Sequence, residues 1–485
     1  MPDWIPRLRD ALLAADYSFD GVSAVLGTTA HAALGRSETT PALRQTGGGS
    51  PLETLTRLWL LQTTASVEEV DRALPGLLDD LCGAGVLERS VSEVAPRVDL
   101  RPHGTESGNL WVLADLTPGL DGGSARVGPD HVLGISPAST SLLELTVRVP
   151  VGRALDLGTG CGIQALHLAG HVEHVVATDV NRRALWLAAL NAELNGVANV
   201  DLRAGNLLEP VAGELFDLVV TNPPFVISPA GEDRLTYRDS GIPGDGVVEQ
   251  IVRGMPAHLA PGGHGQVLAN WMILEGRPWD ERLTGWLRGS DCGAWVVQRE
   301  VLDPAAYVEL WLKDAGLHGS PDYQARYDAW LSWFEDGGVE GVGFGWINLR
   351  RGDTGLRLEE WPWEVEQPLG PEVAAHFERA RALQDLSDDL LLAVRPRLRP
   401  DVVQETHGAV GAEDPVRIVL RQQRGMRRAR QVDTVEAALA GASDGELTLA
   451  QLVAALAQLL GPEGSKGERL AGVRELIGEG FLEVG

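Results

Sequence analysis

The sequence predicts an α/β protein: a Rossmann-like, mostly parallel sheet with mainly helical, winged-helix-like domains at both ends. Three observations predict it. From Gly152 to about Asn270 short apolar strands alternate with amphipathic helices, the pattern of βαβ units. Helical periodicity dominates both ends of the chain. A glycine turn, "DLGTGCG" (Asp156–Gly162), joins a buried strand to a helix, the place where such sheets hold ligands.

Residues 1–100 read as an N-terminal helical domain. After the break "ALRQTGGGS", apolar residues recur at helical spacing and end in the short strand-like "GVLE". Helices followed by a small strand suggest a winged-helix-like module. Residues 101–350 read as the central domain. "GNLWVLADL" reads as strand, and "DHVLGISPASTSLLELT" as a strand, a Ser-Pro turn and a helix start. Then "RALDLG", "HVVATDV", "NVDLRAG" and "LFDLVVTN" read as strands, with "GIQALHLAGH" and "RRALWLAALNAELNG" as intervening helices. "DGVVEQIVRGMPAHL" reads as a helix stopped by "APGG" before the strand "GQVLANW". "CGAWVVQRE" and "GVGFGWINLR" read as later strands around a Trp- and Tyr-rich helical insertion at about 300–340, whose aromatic spacing predicts packing rather than a base-stacking platform. Residues 351–485 read as a hairpin turning at "QRG" and then a helical, winged-helix-like domain. Its ending "IGEGFLEV" echoes "CGAGVLE" near residue 85.

Composition narrows the function classes. The chain has 485 residues and a net charge of −27, which repels a phosphate backbone at long range. There is no run of 18 apolar residues and no signal-peptide pattern at the N-terminus. Cys82, Cys161 and Cys292 are far apart and make no metal or disulfide pattern, so a reducing cytoplasm and no membrane are expected. His167, His171 and His174 cluster without an acidic partner pattern, and no metal is expected. Arg417, Arg421, Arg424, Arg427, Arg428 and Arg430 lie in a stretch free of acids from 415 to 432; this 417–430 hairpin is either internally paired or a contact for RNA or a partner phosphate.

The site residues follow from two strings. Gly158, Gly160 and Gly162 let the backbone turn tightly and approach a ligand without a Cβ. Dinucleotide enzymes use a similar turn, but Asp156 repels a pyrophosphate and attracts an ammonium group. S-adenosylmethionine carries that ammonium and a cationic sulfonium. Thr159 and Val180 complete the expected lining, Asp179 is placed to accept bonds from ribose hydroxyls, and Asn206 to contact an adenine ring. The second string is "NPPF", Asn222–Phe225. Two prolines hold the Asn extended. The Asn222 oxygen and the Pro223 carbonyl suit the two donors of a planar –NH₂ group, which Phe225 can cover. Tyr237, Arg238 and Asp239, just beyond, are expected to close as a lid.

"DLGTGCG", the Thr-Asp pair ending at Asp179 and "NPPF" together resemble class I S-adenosylmethionine-dependent N-methyltransferases. More narrowly, "GISPASTSLLELT" and "YRDSGIPGDGVVEQIVRGMPAHLAPGG" are similar to segments of release-factor glutamine methyltransferases. Phe225, where those enzymes usually have Tyr, and "VLANW" resemble ribosomal RNA guanine N2-methyltransferases. The resemblance covers about 131–271. It implies S-adenosylmethionine as cofactor, an antiparallel edge strand, and methylation of a glutamine side-chain amide in a protein of the translation machinery. The alternatives are an exocyclic amino group of a nucleobase in RNA, or a non-catalytic binding module.

Overall fold

The computed structural model describes residues 3–106, 108–123, 127–229, 241–410, 415–460 and 466–484. The lid residues Tyr237, Arg238 and Asp239 lie outside them. At the centre is an eight-stranded sheet. Its strands are β1 (Val151–Leu157), β2 (Val172–Asp179), β3 (Val200–Ala204), β4 (Phe216–Thr221), β5 (Leu259–Leu274), β6 (Cys292–Leu302), β7 (Val339–Arg351) and β8 (Leu356–Glu360). The spatial order is β8-β6-β7-β5-β4-β1-β2-β3. Strands β1 to β5 are mutually parallel where they pair, and β7 runs antiparallel to both β5 and β6. The chain reverses direction across the sheet between β1 and β4, so a crevice opens beyond the carboxyl ends of these two strands.

The helices around this sheet are α1 (Pro137–Leu145), α2 (Ile163–Leu168), α3 (Arg182–Leu194), α4 (Gly246–Gly254), α5 (Trp279–Leu287), α6 (Pro304–Asp314) and α7 (Tyr323–Asp336). Local chemistry sets their starts: Ser136 caps α1 with Pro137 at its first position, Asn181 caps α3 and Asp303 caps α6. Two sequence expectations change. "DHVLG" is not a strand; it is a loop tied by Asp115, which exchanges backbone and side-chain bonds with Val132. The helix read as reaching "APGG" ends at Gly254, and β5 begins at Leu259, absorbing Gly262 as a register shift with φ +78°.

The N-terminal helices share one core with the hairpin Asp99–Thr105/Gly108–Ala114 and with α2 and α3. The hairpin thus packs between the N-terminal helices and α2 and α3 of the central sheet. Two asparagines one turn apart, Asn191 on α3 and Asn195 at its C-cap, explain the join. Asn191 accepts from Leu113 N (2.7 Å) and donates to Leu113 O (2.8 Å); Asn195 does the same for Trp111. The helix thus satisfies alternate residues of a sheet edge that would otherwise be buried without partners.

Residues 51–96 form helices, a short strand, two more helices and a wing, with strands ordered 65–66, 93–96, 87–89. The C-terminal region repeats this order: Asp444, then 396–398, then 482–484, beside helices at 434–442, 449–460 and 466–478. Both modules close their third helix with the same pair of bonds, Val86 N to Leu81 O and Gly85 N to Cys82 O, against Phe481 N to Leu476 O and Gly480 N to Ile477 O. The echo between "CGAGVLE" and "IGEGFLEV" is thus one turn built twice.

Candidate active site

A cavity of about 220 Å³ opens at the carboxyl ends of β1, β2 and β4. Asp156, Gly158, Thr159, Gly160, Asp179, Val180, Asn206, Asn222 and Pro223 all line it. Gly158 and Gly160 have φ +78° and +55°, and a Cβ on either meets nothing within 4 Å. Side chains there would occupy the ligand's space rather than clash with the protein. Gly162 differs. At φ +86° it starts α2, and a Cβ would come within 3.0 Å of Ala188 Cβ. Its bareness serves the packing of α2 on α3, and it lies outside the lining. Phe225 is also outside. It sits edge-on to Trp311, ring centroids 6.2 Å apart, and packs against the core beneath the sheet.

Two acids define the electrostatics. Asp156 is 1% exposed and accepts from Thr159 Oγ1 (2.6 Å) and Ala165 N (3.0 Å), both on Oδ2. Burial pushes its carboxyl up to about 7 against the opposing pull of those bonds. Asp179 accepts from Gly160 N (2.9 Å) and Asn181 N (2.8 Å), so it also shapes the glycine turn; burial raises its pKa as well. Among the described residues neither acid forms an ion pair, so a cationic ligand in the cavity would be favoured by both. Asn222 is the complementary feature. Its Oδ1 is buried with no hydrogen-bond partner among the described residues, an acceptor awaiting a donor. The residues fit S-adenosylmethionine: space over the bare glycines, acids for a cationic ligand, and an orphaned acceptor beside them.

Other parts of the lining fall largely in the two segments whose resemblance the sequence showed, but their place in the cavity was not read from it. The loop 131–136 forms one wall, held by Asp115, which pairs with Arg183 and accepts from Val132 N (2.8 Å), and by Asn181 Nδ2 donating to Asp130 O (2.8 Å). Ile242, Val247 and Ile251 form another. Ile242 precedes Asp245, which accepts from Met272 N and takes both arms of Arg282. These contacts join residues remote in sequence and leave no local pattern.

The histidines and arginines resolve differently. His167 Nε2 is 3.1 Å from His103 Nε2, and burial pushes His167 down to about 3. Among the described residues no three potential ligands gather for a metal. In the 417–430 hairpin, Arg421 pairs with Glu405, Arg427 with Glu364, Arg428 with Glu359, and Arg430 with Glu475 and Glu479. The acids come from outside the hairpin, so the stretch that looks basic in sequence is largely neutralised in place. Among the described residues no helix is long and apolar enough to cross a membrane.

The family model described as "Methyltransferase small domain" matches residues 134–274, and a domain of unknown function, DUF7059, matches 14–97. The chain is 38% identical over 141 residues to a release factor glutamine methyltransferase of Xylella fastidiosa, covering 27% of this chain and 48% of that one. A release factor glutamine methyltransferase of Deinococcus radiodurans is 33% identical over 215 residues, covering 40% of this chain and 76% of that one. A ribosomal protein uL3 glutamine methyltransferase of Bradyrhizobium diazoefficiens is 37% identical over 125 residues, 23% of this chain and 39% of that one. The chain spans about half the length of the first of these relatives. Through its central domain, the chain belongs to the family of S-adenosylmethionine-dependent methyltransferases that contains these glutamine methyltransferases.

Proposed function

We propose that the protein methylates the side-chain amide nitrogen of a glutamine in a protein of the translation machinery. The observation that carries the reading is Asn222 Oδ1, which has no partner among the described residues, on a residue lining the same cavity as the glycine turn. In this reading Asp156 receives the cofactor's ammonium, Asp179 its ribose hydroxyls and Asn206 its adenine. The backbone at Gly158, Thr159, Gly160 and Val180 lies along it. When bound there, the cofactor would supply an electrophilic methyl group, its C–S bond breaking as the N–C bond forms.

Asn222 Oδ1 and the Pro223 carbonyl accept the two N–H donors of the acceptor amide. Those bonds hold the nitrogen in line and raise its electron density as it leaves planarity. Each is worth about 1–3 kcal/mol in a buried site, and alignment contributes up to about 7 kcal/mol more. Proton loss from nitrogen to water follows transfer, so no strong base is needed. Phe225 acts from behind the loop, through Trp311, rather than as a cover over the amide. An acceptor of this kind places the enzyme in the cytoplasm. The named activities of the relatives support a protein acceptor, and four of the six hairpin arginines are already paired with acids of the chain.

The test is labelled methyl transfer from S-adenosylmethionine into an extract of cells lacking the enzyme. Label released by protease and resistant to nuclease is the expected result. Nuclease-sensitive label would move the acceptor to a nucleobase.

A further inference from the structure

The segment that follows "NPPF" is held by the helical insertion, at both of its backbone groups. Ile227 is fully buried. Its N–H donates to Tyr307 Oη (2.8 Å), and its carbonyl accepts from Trp330 Nε1 (3.1 Å). Tyr307 stands on α6 and Trp330 on α7. Tyr307 Oη also accepts from Asn270 Nδ2 (3.0 Å) on β5, the strand beside the one that ends at Asn222. Asn270 and Tyr307 are both fully buried. Trp311, a turn after Tyr307, meets the ring of Phe225. Val226 and Ile227 share one apolar cluster with Tyr307, Trp330 and Phe334.

A loop residue has no sheet or helix ladder to satisfy its backbone. Here two side chains of the insertion do so, five residues from Asn222. An acceptor nitrogen must be placed to within a fraction of an ångström for in-line attack, and a shift of about 1 Å costs on the order of 100-fold in rate. We infer that Tyr307 and Trp330 are positioning residues for methyl transfer: the insertion between β6 and β7 fixes the Asn222 loop against the cofactor cavity. The inference rests on the reading that Asn222 presents the acceptor nitrogen.

The test compares Tyr307→Phe, Trp330→Phe and Asn222→Ala with the full-length wild type. Tyr307→Phe keeps the ring packing and removes only the hydroxyl; Trp330→Phe removes the other bond independently, should the first variant fold poorly. Initial rates of labelled transfer into extract of cells lacking the enzyme are read at saturating S-adenosylmethionine, with cofactor affinity measured separately by calorimetry. A rate lowered fivefold or more in a Phe variant, with cofactor affinity within twofold of wild type, is expected. A smaller fall, or an equal loss of cofactor affinity, overturns the positioning role. Tyr327→Phe breaks only a surface bond between α7 and Glu309 of α6 (3.2 Å) and should leave the rate unchanged. If Asn222→Ala retains full activity, the reading of the acceptor loop fails instead, whatever the Phe variants do.

Discussion

Asp156 carries a cost of burial that the proposed cofactor contact would offset. Its pKa of about 7 lies above that of an exposed carboxyl, so the folded protein holds its proton more tightly than the unfolded chain. The sign follows: this group penalises stability as pH rises from about 4 through 7, because the unfolded carboxyl ionises first. A bound ammonium favours the ionised form. S-adenosylmethionine affinity is therefore expected to increase as pH rises from 5 to 7, with proton release on binding below pH 7, measured by calorimetry in buffers of different ionisation enthalpy. Asp156→Ala should weaken cofactor binding and abolish that proton release. Gly162 makes the contrasting case. Gly162→Ala should lower stability by about 1–3 kcal/mol through its positive φ and the clash with Ala188, read from the denaturant midpoint. In the string "DLGTGCG" these glycines look alike. Only the fold separates two that leave room for a ligand from one that lets helices approach.

At the scale of elements, the sequence is most legible where periodicity is local. Strands β1 to β4 and helices α2 and α3 follow from alternation of apolar runs, and the turns between them from glycine. The misread elements have non-local causes. "DHVLG" has a strand's composition, but it is held by Asp115 and Asn181 rather than by a neighbouring strand, and it runs along the cavity wall. "APGG" looks like a stop, yet β5 passes through it by a register shift. Of the hairpin 99–114 only the second strand, in "GNLWVLADL", is read from sequence, and not its partner, because Asn191 and Asn195 pair with it through their side chains. Asn191→Ala would leave Leu113 N and O and the Cys161 carbonyl without that partner. A loss of about 2–4 kcal/mol is expected from burying unpaired groups. Thermal unfolding measures it, and an Asn195→Ala variant, nearer the surface, should lose less.

For the whole molecule, the net charge of −27 and the pairing of the hairpin arginines act together. The chain keeps its basic residues beside its own acids. Arg428 illustrates this: it is buried, paired with Glu359 and set over the ring of Trp361 at 4.9 Å. It fastens the C-terminal hairpin to the edge strand β8, which bears Glu359. Replacing Arg421 and Arg427 should therefore leave RNA affinity and its salt slope unchanged, whereas Arg428→Ala should destabilise the protein by removing the buried partner of Glu359, which keeps, among the described residues, only Arg357 and the Trp295 ring N–H. Two similar winged modules then flank one methyltransferase sheet, the second completing its small sheet with a strand borrowed from before it in the chain, a relation visible only as an echo of a few residues in the sequence.

The central claim is that one cavity holds the methyl donor at its glycine turn while Asn222 presents a flat nitrogen to it. Asn222→Ala, assayed for both cofactor affinity and turnover, tests that most directly. The account predicts cofactor affinity close to wild type and kcat lower by about 100-fold or more, the loss of one preorganised transition-state contact. A variant that turns over as fast as wild type would contradict it.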